Sequence, residues 1–427
     1  MLVMDQKQIA ALEISNKALK LVVGYVLEDK VNVLYATKRP LSVPFKDGDI
    51  FDLGNLSEDL SKIKVCESNI KNSKLTFDIN EVSLVLPSYG LNVYCTRKET
   101  NTISNVSKID KIDISNVLAL VKKEKLQSTN DILVDIIPNY FVIEGNQTYL
   151  EAPIGKTSSF VFVDANVYTL PRKMVTDMKT VLNNAGMKAT KEIIAPIGIS
   201  QYFKNLNFKH ETYMLIDFGA KTTTISFIGK GTLYGSNFFS IGVEDLVDIF
   251  QNRFQITHEQ AEEIKDVYGL DARKTSYSPT IASGIDVNGQ QRNYGWDEIH
   301  QIAEQFLQTW VEYLRGSLEN LYTNSKLSEE FAKTNPLVFI GEGTSLNGLK
   351  DYLLKHLTSN PLEMVNLNTI GASDDEYLNC IAAIYASTKN VGTIEEDRNF
   401  VNSLSREKHE SKQNVTRERY DELKDEL

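Results

Sequence analysis

Two segments of this sequence place a carboxylate, a polar turn and a lysine in the same order between two apolar runs. A carboxylate beside the backbone N–H groups of a tight turn suits a phosphate chain carried by a divalent cation, because the amides bind the oxyanions and the carboxylate binds the metal or its waters. Repetition over a long sequence interval indicates two homologous halves that each offer a hairpin to one shared ligand. The matched pairs are Glu13 with Asp217, Ser15 with Gly219, and Lys17 with Lys221.

The second of these segments reads as a buried strand that ends near Asp217, a tight turn, and another strand that runs to Gly229. Gly219 has no Cβ and allows the backbone to approach a ligand closely. Three threonines at 222–224 then offer hydroxyl and amide donors. An ordinary hairpin with a polar tip has the same local pattern, since short Gly/Thr motifs often occur by chance. The copy near the N-terminus favours the phosphate-binding interpretation.

The composition indicates a globular protein with at least two lobes, because 427 residues exceed what one hydrophobic core usually supports. The net charge of −11 argues against a nucleic-acid-binding surface, which needs clustered lysine and arginine. Three scattered cysteines, Cys66, Cys95 and Cys380, are expected to be buried reduced thiols of a cytoplasmic protein. No apolar run approaches the ~20 residues of a membrane span, and the first residues do not resemble a signal peptide.

Hydrophobic periodicity predicts the elements that must position these segments. A three-strand meander is expected over residues 9–36, and the longest helix is expected to carry an apolar stripe from Ile299 to Leu321. Other strands are predicted at 81–87, 131–138, 140–143 and 336–340, with edge strands within 278–294. Other helices are predicted at 55–73, 113–121, 171–186, 243–253, 257–269 and 377–387.

Two further segments contain residues that could contact a nucleotide. A glycine loop, Gly341–Thr344, follows a buried strand and precedes a helix, a position where the backbone can approach an adenine or a phosphate. Glu262 and Lys265 lie three positions apart and therefore share one helix face. They form either a solvated ion pair or a polar face turned towards a nucleoside.

The order of these motifs resembles the actin/Hsp70/hexokinase superfamily, and within it the bacterial cell-division family FtsA, over most of residues 9–390. Residues 217–224 resemble the second phosphate motif of that family, and 341–349 resemble its adenosine motif. Residues 261–269 are similar to a segment whose Glu and Lys contact the nucleoside, so Glu262 and Lys265 inherit that role. The resemblance implies an α/β, actin-like two-lobed fold built from duplicated ribonuclease-H-like domains.

A small α+β insert carries the most specific part of the resemblance. Residues 113–117, 136–145 and 152–155 resemble the segment that forms subdomain 1C in FtsA and that actin, MreB and Hsp70 lack. The implied domains are subdomain 1A at 1–86, 165–196 and 366–392, the 1C insert at 87–164, subdomain 2A at 197–242 and 296–365, subdomain 2B at 243–295, and a charged tail at 393–427.

The resemblance implies that ATP with Mg²⁺ binds between the lobes, with Glu13 and Asp217 as the catalytic carboxylates that hold the water shell of the metal. The implied nucleotide-binding residues are Ser15, Asn16, Lys17, Gly219, Ala220, Lys221, Thr222, Thr223, Gly242, Glu262, Lys265, Gly341, Glu342, Gly343 and Thr344.

This sequence departs from the FtsA pattern at positions that matter for chemistry. Glu13 replaces an aspartate, and Glu342 replaces a glycine and would place a negative charge near the nucleotide. Binding tolerates such changes better than hydrolysis, which requires a positioned water and metal. We therefore expect weak or no hydrolysis, with a hydrolysing ATPase as the alternative. The other departures are Ser15, Ala220, Lys221 and Ala382, each where the family has glycine.

The partners implied by the resemblance are the FtsZ C-terminal peptide and other copies of this chain in a filament, at the cytoplasmic face of the membrane at the division site. A PilM-like scaffold of a pilus or secretion machine is a further alternative. In the tail, carboxylates surround a short apolar stripe within 417–427. Because an anionic bilayer repels carboxylates, we expect weak direct lipid binding, with attachment through a partner or through polymer avidity.

Overall fold

The computed structural model describes two lobes and a small insert. It describes residues 7–67, 76–103, 107–124, 126, 128–270, 280–285, 289–325, 331, 334–357, 360–365, 375–389 and 415–416. The strands are β1 Ile9–Ile14, β2 Ala18–Leu27, β3 Lys30–Pro40, β4 Phe45–Lys46, β5 Asp49–Ile50, β6 Val65–Glu67, β7 Thr76–Asp78, β8 Glu81–Leu86, β9 Asn92–Asn101, β10 Asp131–Ile143, β11 Gln147–Tyr149, β12 Phe160–Pro171, β13 Lys188–Ile194, β14 Thr212–Phe218, β15 Thr223–Gly229, β16 Thr232–Phe239, β17 Thr280–Ile285, β18 Gln291–Gly295, β19 Leu337–Ile340, β20 Leu362–Met364 and β21 Val415–Thr416. The helices are α1 Leu53–Ser61, α2 Lys111–Lys122, α3 Arg172–Asn184, α4 Ala195–Asn205, α5 Val243–Phe254, α6 His258–Val267, α7 Trp296–Asn324, α8 Leu349–His356 and α9 Leu378–Thr388.

Two of the three five-stranded sheets of the described residues have the same strand order and the same strand directions. In the first sheet β13, β8 and β1 are parallel neighbours, and β2 and β3 continue antiparallel from β1. In the second sheet β20, β19 and β14 are parallel, and β15 and β16 continue antiparallel from β14. We call the part built on the first sheet lobe 1 and the part built on the second sheet lobe 2. The predicted internal repeat is confirmed, because β1–β2 and β14–β15 hold equivalent positions in the two lobes.

Each lobe has its own hydrophobic core. The core of lobe 1 includes fully buried residues of β1, β2 and β8, and α9 packs against these three strands. The core of lobe 2 joins β14 and β19 to the long helix α7, whose Trp310 indole is fully buried. These cores fix the two hairpins on rigid central strands, so the turns between the strands face each other at defined positions.

The insert forms a third sheet, in the order β21-β11-β10-β12-β9, with α2 packed against β9 and β12. Its separate apolar core includes Ile114, Phe141 and Val163. Residues 131–138 and 140–143, predicted as two strands, form the single strand β10, with a register shift between Pro138 and Tyr140. Proline cannot donate to the ladder, so the strand continues through an irregularity.

Two other predictions need correction. The helix expected over 55–73 ends at Ser61, although Leu56, Leu60 and Ile63 are buried as predicted. Residues of β6 pair with β7 instead, which shows that tertiary pairing overrides the local helical pattern; the rest of the predicted helix lies outside the described residues.

The cysteine prediction is confirmed at Cys380, which is fully buried. It is wrong at Cys95, which is exposed because strand alternation on β9 directs it to the open face of the insert sheet. The side chain of Cys66 lies outside the described part of the structure. Among the described residues, no helix is long and apolar enough to span a membrane.

Candidate functional site

A cavity lies between the lobes, at the turns of the two repeated hairpins. Both predicted carboxylates reach its wall, and so does the start of the glycine loop. The predicted site residues that line the cavity are Glu13, Ser15, Asn16, Asp217, Gly219, Ala220, Thr222, Gly341 and Glu342.

Each hairpin turn is closed by hydrogen bonds between residues of the same turn. In the first turn, the Ser15 amide and hydroxyl both donate to the Ala18 carbonyl, at 3.0 and 2.8 Å. In the second turn, the Gly219 amide donates to the Thr222 carbonyl at 3.0 Å. Ser15 therefore replaces glycine without a positive φ and uses its hydroxyl to stabilise the turn.

The two carboxylates share an amide neighbour from the C-terminal helix of lobe 1. Asn379 Nδ2 donates a hydrogen bond to Glu13 Oε1 at 2.8 Å. The Asn379 side chain also forms a hydrogen bond with Asp217. Burial and the neighbouring Glu13 charge raise the pKa of Asp217 to about 6. A carboxyl group with a raised pKa at a cavity wall is typical of functional sites.

Three oxygen atoms at this wall have no hydrogen-bond partner among the described residues: Glu13 Oε2, Asn16 Oδ1 and Asn379 Oδ1. Buried acceptors are almost always paired, so these atoms suit a ligand or a cation with its waters. Carboxylate and amide oxygens are the ligands that Mg²⁺ prefers. The donor set therefore fits the predicted metal, and these residues together with Asp217 would hold it or its water shell.

Lys20 is a site residue that the sequence reasoning missed. It faces Glu13 across the β1–β2 register, and it lies on the cavity wall with only 5% of its surface exposed. Burial alone would lower the pKa of Lys20, but the carboxylates of Glu13, Glu342 and Glu376 outweigh burial and raise it. A lysine within an otherwise apolar central strand is the signal that could have identified this residue.

Glu342 directs its carboxylate into the cavity, as the sequence suggested. Its Oε1 lies 2.8 Å from Lys20 Nζ and 3.4 Å from Lys38 Nζ, so it joins lobe 2 to lobe 1. Burial alone would raise the pKa of Glu342, but Lys20 and Lys38 lower it to about 2. The negative charge near the predicted nucleotide position is therefore already neutralised by lysines of the other lobe.

Lys17 lies outside the cavity lining and forms a second contact between the lobes. Its Nζ is 2.7 Å from Glu244 Oε2, 3.0 Å from Glu262 Oε1 and 3.3 Å from His258 Nε2. Glu244, His258 and Glu262 offer ligand atoms within 4.8 Å of one another, which is close enough for a metal ion. The Lys17 ammonium contacts all three residues of that cluster and takes the place that a metal ion would have.

Two other predicted lysines form ion pairs away from the cavity wall. Lys265 is buried and contacts Asp266 at 2.9 Å and Ser345 Oγ at 3.3 Å, so it joins α6 to the glycine loop. Lys221 pairs with Asp245 at 3.2 Å and with Asp248. In the described structure, both lysines therefore position the loops that border the cavity.

The backbone conformation at position 341 requires glycine. Its φ is +93°, and a Cβ would lie 2.3 Å from Asp217 Oδ1. A Cβ on Gly343 would lie 2.2 Å from the Phe218 ring, and one on Gly242 would lie 2.1 Å from the Ala220 carbonyl oxygen. Gly343 and Gly242 thus allow close packing behind the cavity wall.

The remaining predicted hydroxyl groups have structural hydrogen bonds. Thr344 Oγ1 donates to the Gly341 carbonyl at 2.7 Å and closes the glycine loop. Thr223 Oγ1 donates to the Ile241 carbonyl and accepts from Trp310 Nε1, both at 2.8 Å. Neither residue lines the cavity.

The chain as a whole is similar to known proteins. The chain is similar to the cell division protein FtsA of Staphylococcus epidermidis, with 20% identity over 389 residues that cover 90% of this chain and 80% of that protein. It is also similar to FtsA of Buchnera aphidicola, with 23% identity over 348 residues that cover 81% and 79%. No protein-family model matches the chain. The resemblance to FtsA suggested by the motifs is confirmed by this similarity over most of the length.

Solved structures share the architecture. A chain of the PilM–PilN type IV pilus biogenesis complex superposes with a TM-score of 0.58 at 15% identity, covering 90% of this chain and 99% of that chain. MreB5 of Spiroplasma citri, solved with bound AMPPNP, superposes with a TM-score of 0.51 at 12% identity, covering 90% and 96%. The predicted actin-like two-lobed α/β fold is therefore confirmed.

Proposed function

We propose that this actin-like protein is an FtsA-like scaffold that binds ATP with Mg²⁺ between its lobes, polymerises, and links an FtsZ ring to the membrane. The observation that carries the proposal is the pair of equivalent hairpins, β1–β2 and β14–β15, that meet at one cavity. Sequence similarity to FtsA supports the scaffold role, and the MreB5 structure with AMPPNP supports a nucleotide in an actin-like cleft.

The residues at the cavity wall have distinct proposed roles. Asn16 and the Ala220 amide bind phosphate oxygens, because they lie at the two hairpin turns. Glu13 and Asp217 hold the water shell of Mg²⁺, which neutralises phosphate charge when it is bound. Glu262 and Lys265 border the nucleoside side, together with the loop at Gly341 and Gly343. The other proposed nucleotide-site residues contact the nucleotide directly or stabilise the loops that do so. They are Lys17, Lys221, Thr222, Thr223, Gly242, Glu342 and Thr344.

Hydrolysis is proposed to be slow or absent. A water molecule must be held in line with the terminal phosphate for hydrolysis, and the Glu13 carboxylate at this wall is already held by a hydrogen bond from Asn379. A hydrolysing ATPase whose turnover drives lobe closure is the competing proposal, and steady-state phosphate release distinguishes the two.

The partner test uses the full chain. We expect a pull-down with an FtsZ C-terminal peptide to retain this protein, and electron microscopy to show filaments on a lipid monolayer when ATP and Mg²⁺ are present. Failure of both would argue for the second candidate, a PilM-like scaffold, which the TM-score of 0.58 to the PilM–PilN chain favours. Retention by a PilN-type peptide and not by the FtsZ peptide would establish that candidate.

Membrane attachment at the division site is proposed to rely on a partner or on polymer avidity. Full-length protein and a chain that ends near Asn390 should show the same weak co-sedimentation with anionic liposomes. Strong binding that the shorter chain loses would contradict this and identify the tail as a lipid anchor.

A further inference from the structure

Two lysines of lobe 1 contact a glutamate of lobe 2 in the cleft between the lobes. Lys20 of β2 and Glu342 of the glycine loop form a 2.8 Å ion pair, with only 7% and 17% of their side chains exposed. Lys38 of β3 lies 3.4 Å from the same carboxylate and also contacts Glu376. Glu342 is the member of this group that belongs to lobe 2, so its carboxylate is bound by ammonium groups of the opposite lobe.

A second charged contact crosses the cleft at the tip of the first hairpin. The Lys17 ammonium of lobe 1 lies 2.7 Å from the Glu244 carboxylate and 3.0 Å from the Glu262 carboxylate. Glu244 lies in the first turn of α5 and Glu262 lies on α6, and both helices belong to lobe 2. The Glu244 side chain is 8% exposed. One contact comes from β2 and the other from the β1–β2 turn, so the first hairpin is joined to lobe 2 at two points.

We infer that Glu342 is an internal anion that holds the cleft closed in the absence of a nucleotide and competes with the phosphates of the nucleotide for Lys20. The cation that would neutralise a bound phosphate is already paired, and the pair lies on the wall of the same cavity. The Lys17 contact at the hairpin turn supports the same closed arrangement.

The physical argument is the cost of separating buried charges. Removing one partner of a buried ion pair leaves the other charge without compensation, which is strongly unfavourable. With Glu342 neutral, the closed cleft would keep the Lys20 ammonium buried and the Lys38 ammonium half-buried without that carboxylate, so opening to water becomes less unfavourable. A phosphate can replace the carboxylate at Lys20, because charge-assisted hydrogen bonds to either group are similar in kind.

The competition part of this inference rests on the proposed nucleotide site, whereas the closure part rests on the ion pairs alone. The test compares the wild-type chain with Glu342→Gln, which keeps the shape and removes the charge. Glu319→Gln is the matched control, because Glu319 is exposed on α7 away from the cleft.

The first measurement is amide hydrogen exchange without nucleotide. Glu342→Gln should speed exchange about tenfold in the turns of both hairpins, at 15–18 and 219–222, because opening of the cleft exposes the turns to water while the strand amides stay bonded within their own sheets. Exchange in the insert sheet should stay as in the wild type, which separates opening of the cleft from general unfolding. Exchange in the turns equal to that of the wild type would overturn the closure inference.

The second measurement is titration with ATP and Mg²⁺. Glu342→Gln should bind about tenfold more tightly than the wild type, because Lys20 loses the carboxylate of lobe 2 that competes with phosphate and keeps only the carboxylates of lobe 1 as neighbours. Equal or weaker binding by Glu342→Gln would overturn the competition inference. If neither protein binds ATP, the proposed nucleotide site fails, and the exchange result still decides whether the ion pairs close the cleft.

A second variant covers the case in which Glu342→Gln does not fold. Lys17→Met removes the other contact between the lobes at a side chain that is 24% exposed. It should speed exchange in the same two turns and leave the insert sheet unchanged. No change in the turns of Lys17→Met would count against closure by these ion pairs.

Discussion

The hydroxyl groups of Tyr89 and Thr222 lie 2.9 Å apart in a buried contact that joins lobe 1 to the turn of the second hairpin. Tyr89 is 8% exposed and packs against Phe238 with tilted rings, at 4.7 Å between ring centroids. Burial raises the pKa of Tyr89 well above its ordinary value, so its hydroxyl stays protonated. The Tyr89 hydroxyl of lobe 1 therefore fixes the position of Thr222, a residue of lobe 2 that lines the cavity.

Tyr89→Phe should therefore lower stability while it preserves the ring packing. The expected loss is about 1 kcal/mol in the free energy of unfolding, as for a typical intramolecular hydrogen bond. Urea unfolding followed by circular dichroism measures it, with Tyr313→Phe as the control because Tyr313 is 54% exposed. Equal losses in the two variants would show that the Tyr89 hydroxyl has no special structural role.

Asp217→Asn should make stability less dependent on pH. The folded protein raises the pKa of Asp217 to about 6 from an ordinary value of 3.8. The folded state therefore binds more protons than the unfolded state between these values, so the wild type loses stability as pH rises through this window. The variant should gain about 2 kcal/mol at pH 7.5, because one pKa unit corresponds to about 1.4 kcal/mol and water in the cavity screens part of the effect.

The gain of Asp217→Asn should be near zero at about pH 2.8, where the wild-type carboxyl is mostly protonated in both the folded and the unfolded state. Urea midpoints at the two pH values give this comparison. A variant less stable than the wild type at pH 7.5 would mean that the ionised carboxylate stabilises the fold.

Gly343→Ala should act on the fold, because the added Cβ would overlap the Phe218 ring. The expected cost is about 1–3 kcal/mol, as for other overpacked cores. The double variant Gly343→Ala/Phe218→Leu should recover part of that loss relative to the sum of the single changes, measured as a double-mutant cycle. Strict additivity would show that the two residues are not in contact.

The turnover of ATP should be slower than about 1 per second, the lower end of typical enzymes. Steady-state phosphate release with saturating ATP and Mg²⁺ checks this, with Asp217→Asn as the blank for contaminating activity. A rate at or above that value that disappears in Asp217→Asn would establish the hydrolysing ATPase.

Local sequence patterns were sufficient for the elements that carry their own signal. The two hairpins repeat a carboxylate, a polar turn and a lysine, and Thr257 and Gln260 form the predicted capping box at the start of α6. The long helix α7 follows its apolar stripe. These features depend on neighbours within one or two turns of the chain, which a single sequence displays.

The contacts that complete the site are between residues far apart in the chain. Asn379 reaches Glu13 across 366 positions, and Tyr89 reaches Thr222 across 133. Neither pairing leaves a local pattern, so only the packing of α9 on lobe 1 and of lobe 1 on lobe 2 reveals them. The overlong prediction at 55–73 failed for the same reason, since the pairing of β6 with β7 is set by tertiary structure.

The central claim, that the cavity between the lobes binds ATP, is tested most directly by calorimetric titration with ATP and Mg²⁺. Asn16→Ala removes a cavity-lining side chain with an unpaired buried oxygen, and Asn252→Ala makes the same change on the exposed face of α5. We expect one ATP per chain, about tenfold weaker binding by Asn16→Ala from the loss of about 1.4 kcal/mol, and unchanged binding by Asn252→Ala. No saturable binding by the wild type at roughly 1 mM ATP, the upper end of common substrate affinities, or equal affinity of Asn16→Ala and the wild type, would contradict the claim.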